Sequence, residues 1–176
     1  LVDMERMFGL LDEKPDIADR DGAEPLMISG GDLVFDNVHF SYGDRAILKG
    51  VSFRVPAGKC VAIVGPSGSG KTTISRLMFR FYDPQLGAVR LDGQDLRDVT
   101  QNTLRAAIGV VPQDTVMFNA SIGYNIGYGR EDATQADIEN AARLAAIDAF
   151  IAKLPQGYET MVGERGLKLS GGEKQR

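Results

Sequence analysis

The run Gly65-Pro66-Ser67-Gly68-Ser69-Gly70-Lys71-Thr72 satisfies the pattern G-x-x-x-x-G-K-[ST] at every position. A polyphosphate carries several negative charges, and such a loop answers them with consecutive backbone N–H groups, a helix N-terminus and one ammonium. Glycines at 65, 68 and 70 let the backbone curl with no Cβ in the way. Lys71 is placed to reach the β and γ phosphates of a nucleoside triphosphate, and the Thr72 hydroxyl to ligate Mg2+, a hard cation that prefers oxygen. Thr73 adds a hydrogen bond toward the α phosphate. The chemistry implied is the gripping of ATP with Mg2+.

The loop needs a strand before it and a helix after it. Cys60-Val61-Ala62-Ile63-Val64 is apolar at every position, which predicts a strand buried on both faces of a parallel sheet with Cys60 as a buried structural thiol. Ile74, Leu77, Met78 and Phe81 recur at helical spacing and predict a helix over 72–81. Upstream, Val34, Val38 and Phe40 alternate with polar neighbours, Val51 to Val55 alternates too, and Gly43-Asp44 supplies a turn, so two strands of a mainly antiparallel layer are expected. Ala88–Leu91 and Ile108–Val111 are further strand candidates. Thr134 and Asp137 form a capping box ahead of the stripe Ile138, Ala141, Ala142 and Ala145, and Ala149–Leu154 continues as a short helix.

With 176 residues and 43% hydrophobic side chains, the chain suits one domain with a sizeable core. The 20 basic residues stand against 24 acidic ones, a formal charge of -4 that gives no field to steer it onto nucleic acid. Its one cysteine excludes an internal disulfide and suits a reducing compartment. No window approaches the ~20 apolar residues of a membrane span. Met4, Met7, Phe8 and Leu11 recur at helical spacing before an acidic stretch containing Pro15 and Pro25, which reads as a helix followed by a linker. With no methionine at position 1 and a charged, helix-favouring run at the other end, the expectation is a piece of a longer protein.

Beyond the phosphate loop, three more motifs appear in order: the aromatic in Phe40-Ser41-Tyr42-Gly43, the glutamine in Val111-Pro112-Gln113-Asp114, and Leu169-Ser170-Gly171-Gly172-Glu173. Together the four resemble the nucleotide-binding domain of an ABC transporter of the exporter type, over nearly the whole chain. The resemblance implies an α/β fold: a P-loop NTPase core, with a partly parallel sheet and an antiparallel β layer, plus a helical subdomain, truncated before the acidic strand. It implies a linker helix from a membrane domain at 1–20, an incomplete nucleotide-binding domain over 21–176, and the helical subdomain at about 115–170.

The resemblance also assigns roles. Tyr42 stacks on adenine, with Ile47 lining the same pocket. Gly65, Pro66, Ser67, Gly68, Ser69, Gly70, Lys71, Thr72 and Thr73 hold the phosphates, with Lys71 and Gln113 as the catalytic residues retained. Thr72 and Gln113 ligate Mg2+. Ser170, Gly171, Gly172 and Glu173 open a predicted helix and form a second anion site, which in this family completes the ATP site of a facing copy. The implied partners are a second nucleotide-binding domain, head to tail in a homodimer, and a membrane-spanning domain of the same polypeptide, touched by the segment containing Gly163-Glu164-Arg165-Gly166. The implied location is the cytoplasmic or matrix-side face of a membrane.

The opening Val2-Asp3-Met4-Glu5-Arg6-Met7-Phe8 and the run from Asn119 to Arg130 are most similar to the branch of exporters linked to iron–sulfur cluster maturation and heavy-metal tolerance, thought to move glutathione-linked cargo. The family pattern continues with a strand ending in Asp-Glu and a switch histidine, neither of which lies within these residues. His39 precedes the loop and reads as structural. This piece is therefore expected to bind ATP while the intact protein hydrolyses it. The alternative is a module that binds ATP and dimerises without turnover.

Overall fold

A computed structural model describes residues 15–112, 115–164 and 167–176. The expected helix over residues 4–11, most of the 1–20 linker, and Gln113 lie outside the described residues. The chain divides into two compact units, Leu1–Gly109 and Val110–Arg176.

The first unit is built on strands β1 (Leu33–Tyr42), β2 (Arg45–Val55), β3 (Leu86–Leu91) and β4 (Gln94–Asp95) in the order β2-β1-β3-β4, every neighbouring pair antiparallel. Gly43-Asp44 makes the expected tight turn, setting Tyr42 opposite Arg45. The simple alternation read from Val34, Val38 and Phe40 is corrected by an irregularity. Register shifts fall between Phe35 and Val38, where Asn37 has φ 46°. A bulge inserts an extra residue and resets which face the strand presents, so Phe35, Val38 and Phe40 are all buried while Val34 is only half-buried. Phe35 stacks on Phe53 with ring centroids 4.6 Å apart.

Helix α1 (Lys71–Met78) buries Thr73, Ile74 and Leu77, and the last two join Phe35, Val38 and Leu48 in one core cluster. Each such side chain contributes about 1.5–3 kcal/mol by leaving water. The helix ends three residues earlier than the apolar spacing predicts, and Phe81 is 52% exposed. Just beyond its end, Arg80 takes a left-handed backbone (φ 50°) and is buried to 1%. Its guanidinium donates to Asp83, Asp19, Val99 O and Ala18 O, which satisfies a cation that would otherwise be too costly to bury. Helix α2 (Gln101–Ala106), which the sequence pattern did not reveal, buries Leu104 in the same core.

Two strand expectations are corrected. Residues 60–64 and 108–111 enter no ladder, and Val64, Val110 and Val111 are 88%, 59% and 75% exposed. Cys60 is likewise exposed. A parallel strand becomes buried only when neighbours pair on both edges, and no strand among the described residues pairs with either segment.

In the second unit, Ile122, Ala142, Ile147, Ile151 and Val162 form the core. Helix α3 (Ile122–Gly127) is N-capped by Ser121, which accepts from the Tyr124 amide. Helix α4 (Gln135–Leu144) opens on the expected capping box, with the Asp137 amide donating to Thr134 Oγ1 and the Thr134 amide to Asp137 Oδ2. Helix α5 (Asp148–Ile151), a 3-10 turn (Gly157–Glu159) and helix α6 (Gly171–Gln175) follow. No helix among the described residues is long and apolar enough to cross a membrane.

One acidic side chain organises the turn beside β3. The Asp92 carboxylate accepts from the amides of Ser29, Gly30, Gly31 and Asp32 at 2.7–3.0 Å. These donors hold its pKa well below the usual aspartate value. A depressed folded-state pKa means stability that is full above about pH 4 and drains away as the pH falls through the folded value. Asp92→Asn is therefore expected to lower the melting temperature at pH 7 and to flatten its decline between about pH 4 and pH 2. Parallel melting curves for the two proteins across that acid range would contradict this role.

Candidate functional site

The phosphate loop enters α1 through Gly70, which serves as N-cap in a left-handed conformation (φ 96°) with no side-chain cap. Glycine is required there twice over. A Cβ would strain the backbone, and it would also sit 2.8 Å from Leu48 Cδ2 and 3.3 Å from Ile47 Cγ2. Ser121, Thr134 and Ser170 each turn an oxygen onto the amides of the helix they open. Helix α1, like α2 and α5, has no such bond from its N-cap residue, and its first amides are open to an external acceptor.

Lys71 folds over this loop. Its Nζ donates to Gly65 O at 2.8 Å and Pro66 O at 2.7 Å, with Ser69 Oγ at 3.4 Å. The loop closes on itself through the Ser69 amide to Pro66 O. Thr72 is exposed at the second position of α1, and Thr73 is buried at the third. The ammonium, the uncapped amides and the Thr72 hydroxyl thus share one end of one helix. That set suits a polyphosphate with a bound hard cation. Among the described residues, no group of three or more His, Cys, Asp or Glu side chains is placed to hold a metal by itself.

Tyr42 and Ile47 lie on the hairpin flanking this helix, both half-buried against the core. Tyr42 meets Phe40 and Tyr82 edge-on, with centroids at 4.8 and 5.2 Å and interplanar angles of 88° and 85°. Its hydroxyl accepts from Arg76 Nη1 at 3.0 Å. Arg76, which bonds this candidate site residue, was not singled out from the sequence. Its signal was its place four residues after Thr72, on the same face of α1. His39 lies in β1 with Nε2 3.3 Å from Asn37 Oδ1.

Ser170 to Glu173 belong to the second unit. Ser170 N-caps α6 in a reciprocal box, its amide donating to Glu173 Oε2 at 2.7 Å and the Glu173 amide to Ser170 Oγ at 3.4 Å. The Ser170 donors hold the Glu173 carboxyl below its usual range. Gly171 and Gly172 leave their backbone open, since a Cβ on either would meet nothing within 4 Å.

The ABC transporter family profile matches residues 48–176. An "ATM1-type heavy metal exporter" of Novosphingobium aromaticivorans is 60% identical over 177 residues, covering 100% of this chain and 29% of the relative. The "Iron-sulfur clusters transporter atm1, mitochondrial" of Aspergillus fumigatus is 56% identical over 178 residues, covering 100% of the chain and 24% of the relative. The solved "Structure of a bacterial Atm1-family ABC exporter with ATP bound" superposes with a TM-score of 0.89 at 59% identity, covering 98% of this chain and 30% of that one. The chain therefore spans less than a third of the length of these relatives.

Proposed function

The chain belongs to the ABC transporter family as an ATP-binding domain, and on that premise we propose that Gly65–Thr73 grips the triphosphate of Mg-ATP for an exporter of metal-linked or iron–sulfur-related cargo. The observation that carries this reading is the uncapped N-terminus of α1 with the Lys71 ammonium folded over the loop that leads into it. Phosphoryl transfer asks an enzyme mainly for positioning and charge neutralisation, and these residues supply both. The amides fix the phosphate chain, Lys71 exchanges its carbonyl partners for β and γ oxygens, and Thr73 supports the α phosphate. Tyr42 provides a ring for adenine, with Ile47 beside Gly70 at the edge of the same site.

Bound Mg2+ would supply further charge neutralisation, and the Thr72 hydroxyl and Gln113 carboxamide offer it the oxygen ligands it prefers. Ser170, Gly171, Gly172 and Glu173 complete the nucleotide site of a second copy, head to tail. The intact protein hydrolyses ATP and couples that cycle to a membrane-spanning domain, with these residues on the cytoplasmic or matrix-side face. The relatives, a heavy metal exporter and an iron–sulfur clusters transporter, support a metal or iron–sulfur-related cargo, and a glutathione-linked form of it is part of this proposal.

Calorimetric titration of the full-length protein tests the reading. ATP should bind tightly with Mg2+ and far more weakly once the metal is chelated. Absence of any magnesium-dependent binding would remove the proposal.

A further inference from the structure

Resting on the reading that Tyr42 stacks on adenine, we infer that Arg76 is the positioning residue that holds this ring in register with the phosphate loop. The Tyr42 hydroxyl lies on the axis about which its ring flips. Edge-on contact with Phe40 and Tyr82 opposes rotation of the ring in place, and a swing of the whole side chain on its Cα–Cβ bond moves the hydroxyl tip farthest. The bond from Arg76 Nη1 to the hydroxyl at 3.0 Å pins the far tip and opposes that swing. The guanidinium carbon also stands 5.9 Å from the ring centroid, within reach of a cation–π attraction.

What gives this bond a consequence for the nucleotide is its other end. Arg76 stands on α1, five residues after Lys71, about 7.5 Å further along the axis of the same helix. One rigid element therefore carries both the phosphate grip and the anchor of the base platform, although Tyr42 itself sits 34 residues away on β1. The Arg76 side chain is exposed and contributes nothing to the buried core, so the fold does not require it. Arg76 acts through Tyr42 on where the adenine sits.

The test compares Mg-ATP with magnesium tripolyphosphate, which has the phosphates and no base, on the full-length protein. Arg76→Ala is expected to weaken ATP binding about three- to tenfold, the range for one hydrogen bond to a ring that still has its packing, and to leave tripolyphosphate binding unchanged. Tyr42→Phe, which removes only the accepting oxygen, should match it, and Arg76→Ala with Tyr42→Phe should be no weaker than either alone. Equal loss for ATP and tripolyphosphate, no loss for either, or additive losses in the double variant would each overturn the inference. Tyr42→Ala separates it from the reading beneath it. If that variant keeps the full preference for ATP over tripolyphosphate, the stacking itself is wrong and the inference falls with it. If it loses the preference while Arg76→Ala keeps it, only the inference falls.

Discussion

Lys71→Ala is expected to lower the affinity of the full-length protein for Mg-ATP by roughly a hundredfold, about 3 kcal/mol, while leaving its melting temperature nearly unchanged. The first half follows from charge. An ammonium bonded to phosphate oxygens contributes about 1.5–3 kcal/mol per charge-assisted hydrogen bond, and the proposed binding mode sets Lys71 against the β and γ phosphates. The second half follows from what Lys71 holds when no nucleotide is present. Its partners Gly65 O and Pro66 O lie on an exposed loop, so water replaces the lost donor and no buried acceptor is orphaned. Titration calorimetry and thermal melting on the same preparations separate the two. Unchanged affinity would count against the phosphate grip, and a large fall in melting temperature would mean that Lys71 is structural.

Gly87→Ala should be the most damaging small substitution in the first unit, lowering stability by about 3–5 kcal/mol. A Cβ built on Gly87 would lie 2.2 Å from Asn37 O and 2.3 Å from Asp36 O, with the backbone at φ 82°. Both oxygens belong to the bulged part of β1, where its pairing with β3 slips between Asp36 and His39. No rotamer relieves the clash, because the obstacle is main chain on one side and the first side-chain atom on the other. The bulge would have to open or β3 to withdraw. Gly93→Ala is the control. Its φ is 80°, nearly the same, and a Cβ there meets nothing within 4 Å, so it should cost only the backbone strain of about 1 kcal/mol. Melting of the two variants in the full-length protein isolates the steric part. Equal losses would show that the close approach between β1 and β3 is not what selects glycine at 87.

The parts of this protein that the sequence announced are those whose physics is local. The glycine-rich loop was legible because its glycines, Lys71 and Thr72 stand within eight consecutive residues, and the structure folds Lys71 over the loop it follows. The capping box of Thr134 and Asp137 was legible for the same reason: donor and acceptor stand three residues apart and close one turn. The hairpin at Gly43-Asp44 needed only two residues of turn chemistry between alternating runs. Helices α2 and α3 were missed because they are short, six residues each, and show no apolar stripe long enough to read.

What tertiary structure decided was everything that depends on a distant neighbour. The apolar run from Cys60 to Val64 specifies a segment able to be buried, and burial itself needs strands alongside, so without pairing these residues stand exposed. The face shown by β1 was set by a bulge at Asn37, which lies against Gly87, fifty residues on in the chain. The bond between Tyr42 and Arg76 joins a strand end to a helix face, and no spacing rule connects those positions. Residue type fixes which contacts a side chain can make, and the folding of separate segments onto one another fixes which of them it does make.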